Sequence, residues 1–112
     1  MFPRRPGHPN VPEVAPEEAK ALAEKGALMV DVREQDEWDE VRIPGAVHVP
    51  LMTLPSRLAE LPKDRPLVMQ CHLGGRSLQA AVFLQRNGFT DVRNLSGGIA
   101  RWEDEGLPVE RA

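Results

Sequence analysis

With a single cysteine, Cys71, among 112 residues, the chain closes no internal disulfide and must hold its fold by packing. It has no apolar run approaching the roughly 18 residues that cross a bilayer. Its start, Met1-Phe2-Pro3-Arg4-Arg5, is not followed by the apolar segment of a secretory signal. The expected location is therefore the cytoplasm. Excess positive charge is missing too: 14 Lys and Arg against 17 Asp and Glu give a formal net charge of -3, without the electrostatic footprint of a nucleic-acid binder. The three histidines, His8, His48 and His72, are scattered, and with one cysteine they make no metal-ligand spacing. No internal repeat is evident. What remains is 41% hydrophobic and 28% charged, the composition of a globular protein of one domain that hides about two-thirds of its unfolded surface.

Proline is unevenly spread. Pro3, Pro6, Pro9 and Pro12 recur every third residue, which favours an extended polyproline-like arm over residues 1–13. Helix signals follow: Pro16 in a first turn, Glu17 and Glu18 where the helix dipole favours anions, Lys25 in the last turn and Gly26 beyond it. Ala27 to Val32 is almost continuously apolar, as in a strand buried on both faces, and it carries Asp31 to its carboxyl end. Arg33 to Glu40 reads as a short solvent-facing helix with Trp38 turned inward. Ile43-Pro44-Gly45-Ala46 reads as a turn, and Val47-His48-Val49 as a short strand. Leu54, Leu58 and Leu61 share one face of a helix that Pro62 ends. Leu67-Val68-Met69-Gln70 reads as a buried strand, and Ser77 to Arg86 as the most buried helix, closed by Asn87-Gly88. Val92 to Leu95 is a last strand before a helix that Ser96 caps, that carries Ile99 and Trp102, and that Gly106 closes. Strands and helices alternate, which calls for a mostly parallel sheet with helices on both faces. Ligands in such sheets sit outside the carboxyl ends of the strands, where Asp31 and Cys71 both fall.

Between the strand ending at Gln70 and the following helix lies Cys71-His72-Leu73-Gly74-Gly75-Arg76-Ser77. A lone cysteine at a strand end is more often a buried filler than a reagent. Here two glycines, a cation, a hydroxyl and a helix start surround it. Glycines permit backbone conformations that let successive N–H groups converge into a cup, and the positive end of the helix lies behind. An anion in that cup is stabilised, and the Cys71 thiolate, the nucleophilic form of cysteine, is such an anion. Arg76 supplies a fixed charge for an oxyanion or a salt bridge that shuts the loop.

On these motifs the chain resembles a single-domain rhodanese. They are Val30-Asp31-Val32-Arg33-Glu34, Glu37, Ile43-Pro44-Gly45-Ala46, the Cys71 to Ser77 loop as C-x-x-G-x-R-S, Gly88 to Val92, and Leu95 to Trp102. They run in family order over residues 14–108, leaving 109–112 as a short tail. The resemblance implies an α/β three-layer fold round a five-stranded parallel sheet with helices on both faces. It implies sulfur transfer without metal or organic cofactor: Cys71 takes a sulfane sulfur from thiosulfate or a persulfide donor and passes it to cyanide or a thiol, a protein sulfur acceptor included. Residues His72, Leu73, Gly74, Gly75 and Arg76 would bind substrate, and Asp31, Arg33 and Ser77 would support the loop. His72 stands where the family often has Arg, Leu73 places an apolar group at the pocket mouth, and Arg42 replaces a frequent His. Two other readings use the same loop. A cysteine phosphatase needs the same thiolate, amides and Arg, but the family's phosphatase relatives have a loop one residue longer. A sulfur-relay or redox-sensing module would carry the persulfide with little turnover. No nucleic acid or membrane is expected as a partner.

Overall fold

The computed structural model describes residues 10–112. Its elements in chain order are β1 (Glu13–Val14), α1 (Pro16–Glu24), β2 (Leu28–Asp31), α2 (Gln35–Glu40), β3 (Val41–Arg42), β4 (Val47–His48), two 3₁₀ turns (Leu51–Ser56 and Leu58–Glu60), β5 (Leu67–Gln70), α3 (Gly75–Arg86), β6 (Val92–Leu95), α4 (Gly98–Asp104) and β7 (Glu110–Arg111). Five strands form one sheet in the order β1-β6-β5-β2-β4, with every neighbouring pair parallel. β3 and β7 pair separately as an antiparallel ribbon.

Strand alternation divides the core in two. Val30, Leu67 and Met69 pack with Ala80, Ala81 and Leu84 of α3 and with Leu54 and Leu61. Met29, Val68 and Leu95 pack with Ala19 of α1 and Ile99 and Trp102 of α4. The central strands β2 and β5 are apolar on both sides because both sides are covered, the arrangement that parallel strands require. α1 begins with Pro16 at its first turn and Glu17 and Glu18 behind it, and it ends at Glu24 with Lys25 as C-cap. No helix among the described residues is long and apolar enough to cross a membrane.

Three local expectations need correction. Leu54, Leu58 and Leu61 do not share an α-helix; they lie on and just after two 3₁₀ turns. Pro55 falls inside the first turn, where its missing N–H and its ring bar an α-helical continuation. The three leucines still converge on the α3 side of the core. Ser96 does not cap α4. Gly97 holds that position with φ +78°, and Ser96 Oγ instead accepts from Arg101 Nη1 at 3.2 Å. α3 starts at Gly75, two residues earlier than Ser77.

Trp38 is half-buried and stacks on His48, with ring centroids 4.8 Å apart. At the margins, Val11 is buried in the core beside α3, Pro12 carbonyl accepts from Asn94 N at 2.9 Å, and Glu13 pairs with Asn94 in the sheet. Within the stretch read from sequence as an arm, Val11 is thus buried, Pro12 is exposed and Glu13 is paired in the sheet. At the other end Val41↔Arg111 and Arg42↔Glu110 pair, so the tail carries a strand. Pro3, Pro6, Pro9 and His8 lie outside the described residues.

Candidate active site

The loop from Cys71 to Ser77 joins the carboxyl end of β5 to the first turn of α3. Cys71 is 1% exposed, and its sulfur faces inward as part of the α3-side core. Gly74 stands at the N-cap with φ +114°, a left-handed conformation that a β-carbon disfavours. That turn aims Gly74 N at Cys71 Sγ, 3.1 Å away. Ser77 N, one turn further on, lies 3.4 Å from the same sulfur, as does Ser77 Oγ. Two backbone N–H groups at the positive end of α3 therefore converge on one sulfur, the arrangement that stabilises an anion there.

The loop carbonyls are drawn the other way. Ile99 N donates to the Cys71 carbonyl at 2.8 Å and Ala100 N to the His72 carbonyl at 3.1 Å. α4 can approach this closely because Gly98 has no side chain: a β-carbon there would stand 2.3 Å from His72 O and 2.5 Å from Cys71 O. The Gly97-Gly98 pair thus serves more than a tight helix entry. It lets the amides of α4 occupy the loop carbonyls so that the loop amides face the sulfur.

Arg76 turns to Glu37 of α2, with Nη1–Oε1 at 2.7 Å and Nη2–Oε2 at 2.9 Å. This two-pronged contact from Arg76 holds the Glu37 carboxyl down at about 2, against an ordinary 4.5. It pushes Arg76 upward in turn, so the guanidinium stays charged. Glu37 also accepts from Glu34 N at 2.9 Å, closing the first turn of α2. Of the two kinds of contact the sequence leaves open for Arg76, the structure contains a salt bridge, to Glu37.

Asp31 and Arg33 lie beneath the rim, 0% and 2% exposed. Arg33 Nε and Nη2 grip the Asp31 carboxylate at 3.0 and 2.8 Å, and Nη2 also reaches the Val41 carbonyl at 2.5 Å. The Arg33 carbonyl lies 2.7 Å from His48 Nε2. Among the described residues this pair makes no hydrogen bond to the Cys71 loop; it ties the end of β2 to β3 and β4. His72, Leu73 and Gly75 are exposed, with Leu73 at 67%. A cleft of about 300 Å³ opens beside His72, bordered by Arg33, Glu37, Val41 and Arg111. A larger cleft of about 370 Å³, lined by Lys20, Ile43 and Trp102 among others, lies away from the cysteine and has no cysteine, serine or histidine in its lining. Among the described residues no group of three or more His, Cys, Asp or Glu is placed to hold a metal.

The sequence reading passed over two residues as site residues. Glu37 lies 39 positions from Arg76, and no spacing rule pairs them. Asn94 is 1% exposed on β6. Its signal was a polar side chain within a strand covered on both faces, which must find a partner there. That partner proves to be the loop.

A cysteine loop at the carboxyl end of the central strand of a parallel α/β sheet, with two amides aimed at the sulfur and Arg76 paired with Glu37, is an arrangement that can stabilise an anion at that sulfur. The chain belongs to the Rhodanese-like domain family, which matches residues 15–105. It is 43% identical over 82 residues to a "Sulfurtransferase" of Allochromatium vinosum, covering 73% of this chain and 77% of that one. It is 38% identical over 89 residues to the "Thiosulfate sulfurtransferase GlpE" of Pseudomonas syringae pv. syringae, covering 80% and 84%. The crystal structure of a rhodanese-related protein from Thermoplasma volcanium superposes with a TM-score of 0.82 at 27% identity, over 88% of this chain and 97% of that one. The expected five-stranded parallel fold and the family resemblance are both met.

Proposed function

We propose that this protein is a sulfurtransferase whose Cys71 alternates between a thiolate and a persulfide. The observation that carries the reading is the aim of Gly74 N and Ser77 N at Cys71 Sγ, 3.1 and 3.4 Å away. In the first half-reaction the Cys71 thiolate attacks the outer sulfur of thiosulfate. The new S–S bond forms as the old one breaks, and sulfite leaves with the bonding electron pair. The terminal sulfur of the resulting persulfide carries the negative charge, which the same amide cup serves. In the second half-reaction cyanide or a thiolate attacks that terminal sulfur. Thiocyanate or a new persulfide departs, and the Cys71 thiolate returns.

A persulfide donor enters by the same displacement, with a thiolate as leaving group. Because Glu37 occupies the Arg76 guanidinium, His72 and the backbone amides are what face an incoming dianion. The exposed Leu73 beside the nucleophile favours a protein acceptor. Occupation of Arg76 also favours sulfur over phosphoryl transfer, where an unengaged Arg would hold the oxyanion. Intact mass after exposure to thiosulfate tests the proposal. The expected result is a gain of one sulfur that is absent in Cys71→Ala and reversed by cyanide with release of thiocyanate. An unchanged mass across thiosulfate and several persulfide donors would overturn it, and Cys71-dependent turnover of an aryl phosphate would replace it with phosphatase chemistry.

A further inference from the structure

The Asn94 side chain is fully engaged, and its orientation follows from its partners. Its Nδ2 lies 3.0 Å from Glu13 Oε2 and 3.1 Å from the Gly74 carbonyl, both acceptors, so the amide nitrogen must face them. Oδ1 is left facing Ser77 Oγ at 2.6 Å. An amide oxygen cannot donate, so the proton on that short contact belongs to Ser77. A hydroxyl has one proton, and Ser77 Oγ has two neighbours that could take it: Asn94 Oδ1 at 2.6 Å and Cys71 Sγ at 3.4 Å. Ser77 and Asn94 are 0% and 1% exposed, so bulk water does not compete.

We propose that Asn94 is a positioning residue that sets the polarity of the hydrogen bonds around Cys71. By holding the Ser77 proton, it makes the hydroxyl an acceptor for the Cys71 S–H and leaves the anionic sulfur to the Gly74 and Ser77 backbone amides. The same side chain holds the Gly74 carbonyl, which also receives Leu78 N at 3.2 Å. It thereby restrains Gly74, the residue whose amide points at the sulfur. Ser77 then restrains the thiol, contrary to the simple expectation that a nearby hydroxyl activates it.

The inference rests on Cys71 being the reactive group of the proposed transfer, but its test reads the cysteine directly and needs no turnover. The pH–rate profile of Cys71 alkylation by iodoacetamide is measured in the wild type, Ser77→Ala, Asn94→Leu and the double variant. The charged groups around the loop, Arg76 with Glu37, Arg33 with Asp31, His72, and Glu13 behind Asn94, are present in all four. Ser77→Ala removes the S–H acceptor and should move the midpoint of the profile down by about one pH unit, a tenfold gain in reactive thiolate below it. Asn94→Leu frees the hydroxyl to donate to the thiolate and should move the midpoint in the same direction; in the Ser77→Ala background that downward shift should be absent, because only the hold of Asn94 on Gly74 is left to lose. A midpoint that rises in Ser77→Ala shows the hydroxyl donating to the thiolate and overturns the proposal, whether or not the Asn94 variant folds. An equal effect of Asn94→Leu in both backgrounds overturns it too, because Asn94 would then act only through Gly74. A failure of thiosulfate to load Cys71 would sink the sulfurtransferase reading and leave this measurement intact.

Discussion

Replacing Gly98 by alanine should damage the site through the backbone alone, since no functional side chain is touched. Two costs add. Gly98 has φ +62°, and placing an L-residue in the left-handed region costs about 1–2 kcal/mol. The new β-carbon would also stand 2.3 Å from His72 O and 2.5 Å from Cys71 O. The neighbours are main-chain atoms tied by Ile99 N and Ala100 N, so they must move, at about 1–3 kcal/mol more. Gly106, just beyond the other end of α4, isolates the first cost. It has φ +78° with nothing within 4 Å of a β-carbon, so Gly106→Ala should lose only the conformational part. Urea unfolding of both variants, compared at equal slopes, should show Gly98→Ala the less stable by about 1–3 kcal/mol. Loading of Cys71 from thiosulfate should fall by about a hundredfold in Gly98→Ala, as expected when a nucleophile is displaced by about 1 Å, and stay near wild type in Gly106→Ala. Equal stabilities for the two variants would refute the claim that α4 bears on the loop through Gly98.

The contrast between these two glycines shows what one sequence makes legible. Their residue type is the same, and only the packing of α4 onto the loop distinguishes them. Alternation of apolar runs with amphipathic segments sufficed for the parallel sheet, because burial on both faces leaves its mark on β2 and β5 residue by residue. The Cys71 loop was legible because glycines, cation and hydroxyl are contiguous there. Glu37 and Asn94 were not read as site residues because their roles arise from contacts 39 and 17 or more positions away. Such distances are closed by the fold, not by spacing. Pro55 shows the opposite failure. The leucine spacing at 54, 58 and 61 obeyed the helical period, but a single proline inside the run outweighed it, and 3₁₀ turns brought the same side chains to the core.

Three further perturbations separate structural from chemical support. Asp31→Asn should cost about 3–5 kcal/mol by leaving the Arg33 guanidinium buried without its counter-charge; a loss under 1 kcal/mol in urea unfolding would mean that Val41 and solvent suffice as partners. Gln70 is 0% exposed, and neither its Oε1 nor its Nε2 has a protein partner among the described residues, so Gln70→Met should raise stability by about 1 kcal/mol. A loss of that size would show the amide to be satisfied in solution. The third concerns the clasp between Glu37 and Arg76. The Glu37 carboxyl titrates at about 2 in the folded chain against an ordinary 4.5, so its contribution is complete above the ordinary value and is lost as pH falls from about 4.5 to about 2. Arg76 is pushed upward and stays protonated across that window, so only the carboxylate changes. With the two side chains 31% and 36% exposed, solvent screening limits the pair to about 1 kcal/mol. Glu37→Gln should therefore be less stable than wild type by about that amount at pH 7. The gap should narrow in molar salt and close as the pH approaches 2. A gap that stays constant from pH 7 down to that point would show that the charge on Glu37 is not what stabilises the clasp, since the glutamine keeps the oxygen that accepts from Glu34 N.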